Sequence, residues 1–184
     1  MATTHIISIH VGKGKTAHQS LKERLDYIMN PEKTDGGLLI TSHACSPETA
    51  AEEFMLYRQE YLNATGRKRK DEVLAYHVRQ AFKPGEITPE KANEIGKKLA
   101  ERLTDKQHAF VVATHIDKLH IHNHIIFCAT SLDGQQKHRD VKRSAKDLVQ
   151  ISDTLCEENG LSVIRNPQDK AVPYDKWEGN LKKS

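Results

Sequence analysis

Four histidines within ten residues form the part of this sequence with the clearest potential for chemistry. His115, His120, His122 and His124 make up more than a third of the 11 histidines in the chain. On an extended strand, residues two positions apart project from the same face, about 6.5–7 Å apart. The spacing therefore predicts that His120, His122 and His124 line one face of a strand.

Imidazoles grouped in this way are typical ligands of a divalent metal ion. Two neighbouring imidazoles of the strand can converge on one ion, but three on a flat strand are too widely spaced, so a further ligand must come from elsewhere. His115, across a predicted hairpin, is the natural candidate, and Asp117 could accept an imidazole N–H. Three histidines leave positions open for water or phosphate oxygens, as a catalytic ion requires. The alternative is a histidine-rich surface strand without chemistry, and the in-phase spacing favours the metal site.

A tyrosine is the second candidate. The apolar stripe of the predicted first helix consists of Ala17, Leu21, Leu25 and Ile28. At 100° per residue, Tyr27 lies well away from that stripe. A tyrosine in such a position is most often a plain surface residue, but a phenolate is a competent nucleophile once a metal or a base helps to remove its proton. The spacing alone leaves both interpretations open.

Two basic segments accompany these candidates, although the net charge is only +3. The first is the predicted loop Arg67-Lys68-Arg69-Lys70. The second follows the histidine strand and contains Lys137, Arg139, Lys142, Arg143 and Lys146. Such runs are usually solvated surfaces. Because the second segment follows a predicted metal site, a nucleic-acid or polyphosphate partner is an equally good interpretation.

The length and composition predict one soluble globular domain of 184 residues, with 37 % hydrophobic and 29 % charged residues. We expect the domain to cover residues 1–165 and the polar residues 166–184 to form an extension or the start of a linker. No apolar run approaches the roughly 18 residues of a membrane span. Three cysteines without a CxxC pair fit a reducing cytoplasm.

The hydrophobic pattern alternates between strand and helix periods. The predicted strands are Thr4–Val11, Leu38–Ser42, Glu72–Phe82, Ala109–His115 and His120–Thr130. The predicted helices are Thr16–Met29, Pro47–Ala64, one that begins at Thr88-Pro89-Glu90, and Ser144–Asn159. Single strands followed by helices, with a hairpin near the end, predict an α+β fold in which helices pack on a mixed or antiparallel sheet.

Three segments resemble the motifs of conjugative relaxases, the mobilization nucleases of the MobA/VirD type (MOBP class) within the His-hydrophobic-His nicking-enzyme superfamily. The histidine segment is similar to the third motif, in which a His-x-Asp precedes a His-x-His strand. The run Leu25–Thr34 resembles the first motif, which carries the nucleophilic tyrosine. The segment Val73–Glu86 resembles the middle strand of relaxases from Gram-positive integrative elements. Together the matches extend over nearly the whole chain.

The resemblance implies roles for individual residues. Tyr27 would be the nucleophile, and His122 and His124 the paired metal ligands, with His115 as the third. The literal superfamily pattern, in which a hydrophobic residue separates two histidines, is better met by His120-Ile121-His122. His120 is therefore an alternative to His124 as a ligand, and we favour His124. Either Asp117 or a hydroxide on the metal could accept the phenol proton, and the sequence leaves both open. Two departures affect the expected DNA contacts: Ala81 replaces an expected Ser, and Cys128 replaces an expected Asn.

The resemblance also implies a two-layer sandwich with a five-stranded antiparallel sheet, and an activity. We expect site- and strand-specific nicking and rejoining of DNA at a transfer origin, assisted by Mn²⁺ or Mg²⁺, through a 5′-phosphotyrosyl intermediate. The implied partners are single-stranded or hairpin origin DNA, an accessory relaxosome protein and a secretion coupling protein, in a bacterial cytoplasm. The candidate DNA contacts are Arg67, Lys68, Arg69, Lys70, His77, Arg79, Lys137, Arg139, Lys142 and Arg143.

Two other functions fit part of the pattern. A rolling-circle replication initiator would use the same chemistry, but in the usual initiators the tyrosine follows the histidine strand, whereas Tyr27 precedes it. A metal-dependent DNA-binding module without catalysis would need the histidines but not the tyrosine.

Overall fold

The structure is a computed structural model that describes residues 2–139 and 141–164. The predicted extension at 166–184 lies outside the described residues, so the domain boundary stays a prediction. None of the helices within the described ranges is long and apolar enough to cross a membrane.

The elements follow the predicted order, with ends that differ by a few residues. The strands are β1 (Thr3–Ile9), β2 (Ile40–His43), β3 (Ala75–Ala81), β4 (Phe110–His115) and β5 (His122–Cys128). The helices are α1 (Ala17–Ile28), α2 (Ala50–Thr65), α3 (Pro89–Thr104) and α4 (Val141–Glu158), and a short 3-10 turn (Pro47–Thr49) precedes α2. Helix α1 begins with the predicted capping box between Thr16 and Gln19.

The five strands form one sheet in the order β1-β3-β5-β4-β2, and every neighbouring pair is antiparallel. The α+β class, the five-stranded antiparallel sheet and the β4–β5 hairpin are therefore confirmed. Strand β5 lies at the centre of the sheet. Its first residue, His122, is paired in register with His115, the last residue of β4.

The number of layers differs from the prediction, because helices cover both faces of the sheet. Helices α3 and α4 pack on the face that carries Val112 and Ile125. Helices α1 and α2 pack on the face that carries Val111 and Ile126. The central strands are apolar at consecutive positions, so both faces need a cover. The result is three layers rather than two.

Candidate metal centre

The β4–β5 register brings three histidines together on the face covered by α1 and α2. Because His115 and His122 are paired and His124 lies two residues further along β5, all three project from the same face. One ring nitrogen from each lies within 4.8 Å of the other two. His115 and His124 are buried and His122 is half-buried. The arrangement matches the set that the resemblance implies, and the ligand role of these residues stays a prediction.

The outer nitrogen of each ring already has a partner. His115 Nε2 lies 2.7 Å from the carbonyl oxygen of Ile28. His122 Nδ1 lies 3.4 Å from the His120 carbonyl oxygen, and His124 Nδ1 lies 2.8 Å from Nε2 of His77. The nitrogens left for a metal are therefore Nδ1 of His115 and Nε2 of His122 and His124. This orientation is the one found for metal-binding histidines, whose outer N–H is held by a second partner.

An unpartnered buried atom supports a metal at this position. His115 Nδ1 is inaccessible to solvent and has no hydrogen-bond partner among the described residues. Such buried polar atoms are rare in proteins and need an explanation such as an ion. Three neutral nitrogens converging on one point fit a divalent ion.

Burial keeps these imidazoles neutral. It lowers the pKa of His122 to about 4, and it lowers the pKa of His115 as well. The pKa of His124 falls well below its usual range because of burial and the neighbouring His115 and His77. A metal ligand must be unprotonated, so the three rings are ready to bind at neutral pH.

His120 lies outside the group of three. Strand β5 begins only at His122, so the strand alternation does not extend back to His120. The prediction that His120 shares one strand face with His122 and His124 is therefore wrong. The His120 ring is buried 5.1 Å from that of His122, and its carbonyl oxygen accepts the His122 N–H. This placement favours His124 over His120 as the third nitrogen of the cluster.

Tyr27 stands beside the three histidines. It lies in the last turn of α1 with 54 % of its surface exposed, which confirms its position off the apolar stripe. Its ring centroid is 6.0 Å from that of His124 and 6.4 Å from that of His115, and it meets both rings edge-on. An exposed phenol is thus held next to the nitrogens that could bind a metal.

Lys33 lies between Tyr27 and Asp117 and contacts both side chains. The sequence patterns do not point to this lysine. Its Nζ lies 5.1 Å from the centroid of the Tyr27 ring and 3.7 Å from Oδ2 of Asp117. Asp117 does not accept an imidazole N–H of the cluster, because the outer nitrogens of His115, His122 and His124 have other partners. That expectation for Asp117 is therefore wrong, and its catalytic role stays a prediction.

The segment between α1 and β2 fixes Lys33 in place. The Lys33 carbonyl oxygen accepts the backbone N–H of Ile116, and the Leu39 carbonyl accepts that of Thr114. Thr34 is buried, and its hydroxyl donates to the carbonyl oxygen of Asn30. These bonds tie the end of the tyrosine helix to the end of the strand that carries His115.

Two predicted DNA contacts on β3 have different surroundings. His77 is only 5 % exposed and contacts the His124 ring rather than solvent. Burial and the neighbouring Arg24 and Arg79 lower the pKa of His77 to about 4. Arg79 is exposed and pairs with His124 across the sheet. The sequence alone gave no signal that His77 would lie behind a candidate ligand.

Asn123, the polar residue between His122 and His124, points to the opposite face of the sheet. Its amide donates to Gln80 Oε1 and to the Ala92 carbonyl, and its oxygen accepts from the Thr114 hydroxyl. All its hydrogen-bonding groups are therefore used in the core. A Cβ at Gly96 would lie 2.6 Å from the Asn123 amide nitrogen, so only glycine leaves this space. The network fixes the register of the histidine strand.

The predicted basic segments meet at the other end of the sheet. They line a cavity of about 290 Å³ whose walls include Tyr61, Arg67, Arg69, Glu72, Tyr76, Lys137, His138 and Arg139. Strand β5 runs away from the metal centre for about 20 Å, so residues after Cys128 lie far from His122. The second segment follows the histidine strand along the chain but does not lie next to the candidate metal centre. Lys68, Lys70, Lys142 and Arg143 are exposed.

Within the basic cavity, the carboxylate of Glu72 holds one of the four lining cations, Lys137. Glu72 accepts from Arg58 at 2.5 Å and from Lys137 at 3.1 Å, and these partners lower its pKa against the effect of burial. Arg139 donates to the Tyr61 hydroxyl at 3.4 Å. Four basic side chains outnumber the two carboxylates of the cavity lining, Asp71 and Glu72, so the surface has a net positive charge and is partly aromatic.

Comparisons with known proteins identify relatives. The model of the MobA/VirD2-like relaxase nuclease domain matches residues 27–161, nearly three quarters of the chain. The protein rlx of Staphylococcus aureus is 40 % identical over 122 residues, which cover 62 % of this chain and 38 % of that protein. The group II intron-interrupted relaxase LtrB of Lactococcus lactis subsp. cremoris is 30 % identical over an alignment of 186 positions, which covers 83 % of this chain and 33 % of LtrB. The chain thus spans about a third of the length of these relatives.

A solved structure shares the fold. It was described as the "Molecular Basis of Vancomycin Resistance Transfer in Staphylococcus aureus" and superposes with a TM-score of 0.54 at 17 % sequence identity. The match covers 89 % of this chain and 96 % of the other.

Proposed function

This chain belongs to the MobA/VirD2-like relaxase family, and we propose that it nicks and rejoins one strand of DNA at a transfer origin through Tyr27. The observation that carries the proposal is the position of an exposed tyrosine 6.0 Å, ring to ring, from His124 in a group of three converging histidines. A nucleophile and a metal-binding group side by side are what a phosphoryl transesterase needs.

His115, His122 and His124 would hold the divalent ion. When bound, such an ion polarises the scissile phosphate and offsets the charge that develops on its oxygens. Of the two ions that the resemblance implies, we propose Mn²⁺, because Mg²⁺ is bound mainly through oxygen ligands.

In the proposed reaction the Tyr27 oxygen attacks the scissile phosphorus, and the bond from phosphorus to the 3′-oxygen breaks. The products are a 5′-phosphotyrosyl link and a 3′-oxygen that takes up a proton and becomes a free 3′-hydroxyl. Because a phosphodiester is exchanged for a phosphodiester, the 3′-hydroxyl can attack the link and rejoin the strand. The ammonium of Lys33 lies against the Tyr27 ring and would stabilise negative charge there. Asp117, paired with Lys33, is the candidate acceptor for the phenol proton.

We assign further DNA contacts to the basic cavity. Arg67, Arg69, Lys137 and Arg139 could neutralise backbone phosphates, and Tyr61 adds an aromatic surface for a base. DNA held there and at Tyr27 would follow the sheet for about 20 Å. Contacts with an accessory relaxosome protein and a secretion coupling protein belong to the same proposal.

The experiment is a search for a covalent adduct. The protein would be incubated with Mn²⁺ and single-stranded oligonucleotides that tile the DNA flanking its gene, then digested and analysed by mass spectrometry. We expect one oligonucleotide to be cleaved, with its 5′-phosphoryl fragment attached to Tyr27. An adduct on another residue would reject the nucleophile. Binding without cleavage would favour the non-catalytic module, and cleavage at a replication origin would favour a rolling-circle initiator.

A further inference from the structure

We propose that His77 is a positioning residue that sets the orientation and tautomer of His124, an inference that rests on the proposed metal centre. His77 Nε2 and His124 Nδ1 are 2.8 Å apart. The two rings are both buried, and their centroids lie 5.1 Å apart at an angle of 42°. The two histidines lie on the neighbouring antiparallel strands β3 and β5. In the register of these strands, His77 is opposite Ile126, and His124 is opposite Arg79.

The chemistry of the partner makes His124 different from the other two histidines. The outer nitrogens of His115 and His122 face backbone carbonyl oxygens, which can only accept a hydrogen bond. Their protons must therefore lie on the outer nitrogens, and the inner nitrogens keep their lone pairs. The partner of His124 is another imidazole, which can either donate or accept. The tautomer of His124 is thus coupled to that of His77.

Two arrangements of the same number of protons are possible. In one, His124 Nδ1–H donates to His77 Nε2, and the inner Nε2 of His124 has a free lone pair. In the other, His77 Nε2–H donates to His124 Nδ1, and the proton on His124 Nε2 blocks metal binding. Metal binding selects the first arrangement, which places the remaining proton of His77 on Nδ1. That atom is buried and has no hydrogen-bond partner in the described part of the chain.

His77 therefore acts on the metal centre through His124 without touching the metal or the DNA. Removing the acceptor should lower metal affinity by about 10–100-fold, the range seen when outer partners of metal-binding histidines are lost. The His124 ring would also lose the contact that fixes its angle on β5.

The test compares three variants of the full chain by Mn²⁺ titration, followed by the EPR signal of the free ion. We expect His77→Leu to bind Mn²⁺ about 10–100-fold more weakly. His77→Gln supplies a neutral amide that can accept the His124 N–H, so it should recover most of the affinity. His108→Leu is the matched control, because His108 is also a buried histidine but hydrogen-bonds to the Cys128 carbonyl away from the metal centre.

The outcomes separate this inference from the proposed function. If the unmodified protein does not bind Mn²⁺, the proposed metal centre fails. If it binds and His77→Leu binds equally well, the role of His77 is overturned, whatever the nicking activity. Equal losses in His77→Leu and His108→Leu would indicate general destabilisation and would also overturn it. As a second readout, ring ¹⁵N NMR of the metal-free protein should show changed nitrogen shifts for His124 in His77→Leu, with those of His115 unchanged.

Discussion

Two groups of buried and half-buried histidines occupy opposite ends of the same sheet, and only one of these two has the arrangement of a metal site. The far group contains His108 and His138, whose rings lie 5.9 Å apart and pack edge-on against Phe127. Burial lowers the pKa of both, to about 4 for His138. In burial and in pKa, this pair resembles His122 and His124.

The difference lies in the directions of the ring nitrogens. His108 Nδ1 bonds to the Cys128 carbonyl and His138 Nε2 to the Ser144 hydroxyl, so the far group is held by separate partners. Within the described ranges, His115, His122 and His124 are the one group whose candidate ligand atoms converge. Burial and a lowered pKa are thus common to structural histidines, and convergence of unused nitrogens is what identifies a site.

The largest expected effect is a difference in activity between variants of Tyr27, at the candidate metal centre, and of Tyr76, at the opposite end of the sheet. Tyr27→Phe should abolish formation of the covalent adduct, a loss of at least about 1,000-fold, because no other group replaces the attacking oxygen. DNA binding should remain. Tyr76, whose hydroxyl donates to the His138 carbonyl, is the counterpart at the far end. Adduct formation and binding would be followed by denaturing gel and fluorescence anisotropy.

In this comparison Tyr76→Phe should nick at a rate close to that of the unmodified protein. Normal cleavage by Tyr27→Phe would show that the nucleophile is another residue.

The next effect concerns the histidines themselves. His122→Ala should weaken Mn²⁺ binding by about 100-fold or more, because it removes a ligand and not only its outer partner. Nicking should fall in parallel, and EDTA should abolish nicking by the unmodified protein. His138→Ala should leave Mn²⁺ affinity within about threefold. Isothermal titration calorimetry would measure both, and similar affinities for the two variants would contradict the ligand assignment.

A smaller effect is expected at the basic cavity. The double variant Arg67→Gln/Arg139→Gln should bind single-stranded DNA about tenfold more weakly at moderate salt. Affinity falls as salt rises, and for each lost phosphate contact the plot of log affinity against log salt should become less steep by about 0.7. Nicking at saturating DNA should be unchanged, since the cavity lies far from Tyr27. The charge-matched control is the double variant Lys97→Gln/Arg102→Gln, which removes two positive charges from exposed residues paired with Glu101 and Glu158 on other surfaces. An equal loss in this control would mean that only net charge matters.

The smallest effect is the response of stability to pH. The folded-state pKa of His122 and His138, about 4, lies below the unfolded value of about 6.5, so the unfolded chain binds more protons between these pH values. The free energy of unfolding should therefore be highest above pH 6.5 and should decrease as the pH falls towards 4. Saturating Mn²⁺ should raise Tm by a few degrees at pH 7.5, and the increase should vanish near pH 4.

Calorimetry on His122→Ala and His138→Gln would sharpen this result. The increase in Tm with Mn²⁺ should be lost in the first variant and kept in the second.

The elements and the central residues of the site could be predicted from the sequence because they depend on local periodicity. The off-stripe position of Tyr27 follows from the helix period, and the shared face of His122 and His124 follows from the strand period. The polar Asn123 disagreed with the expected pattern, yet it is fully hydrogen-bonded on the other face of the sheet.

Features that depend on contacts between distant segments could not be predicted. The order of strands decides that His77 lies behind His124, and the direction of β5 decides that Lys137 lies far from the candidate metal centre. Likewise, the pairing of Lys33 with Asp117 depends on how the segment after α1 docks on β4.

The hydrogen bond between His115 and Ile28 has a consequence for the rejoining step of the proposed reaction. Ile28 is the last residue of α1, where backbone carbonyls lack partners within the helix, and it directly follows Tyr27. This hydrogen bond therefore links the helix that carries Tyr27, the proposed nucleophile, directly to the strand that carries a candidate ligand. A strand captured on Tyr27 would stay aligned with the metal centre for as long as the link lasts. An incoming 3′-hydroxyl would therefore find the phosphotyrosyl link in the same position relative to the histidines as during cleavage. Helix α1 would not have to move before the strand is rejoined.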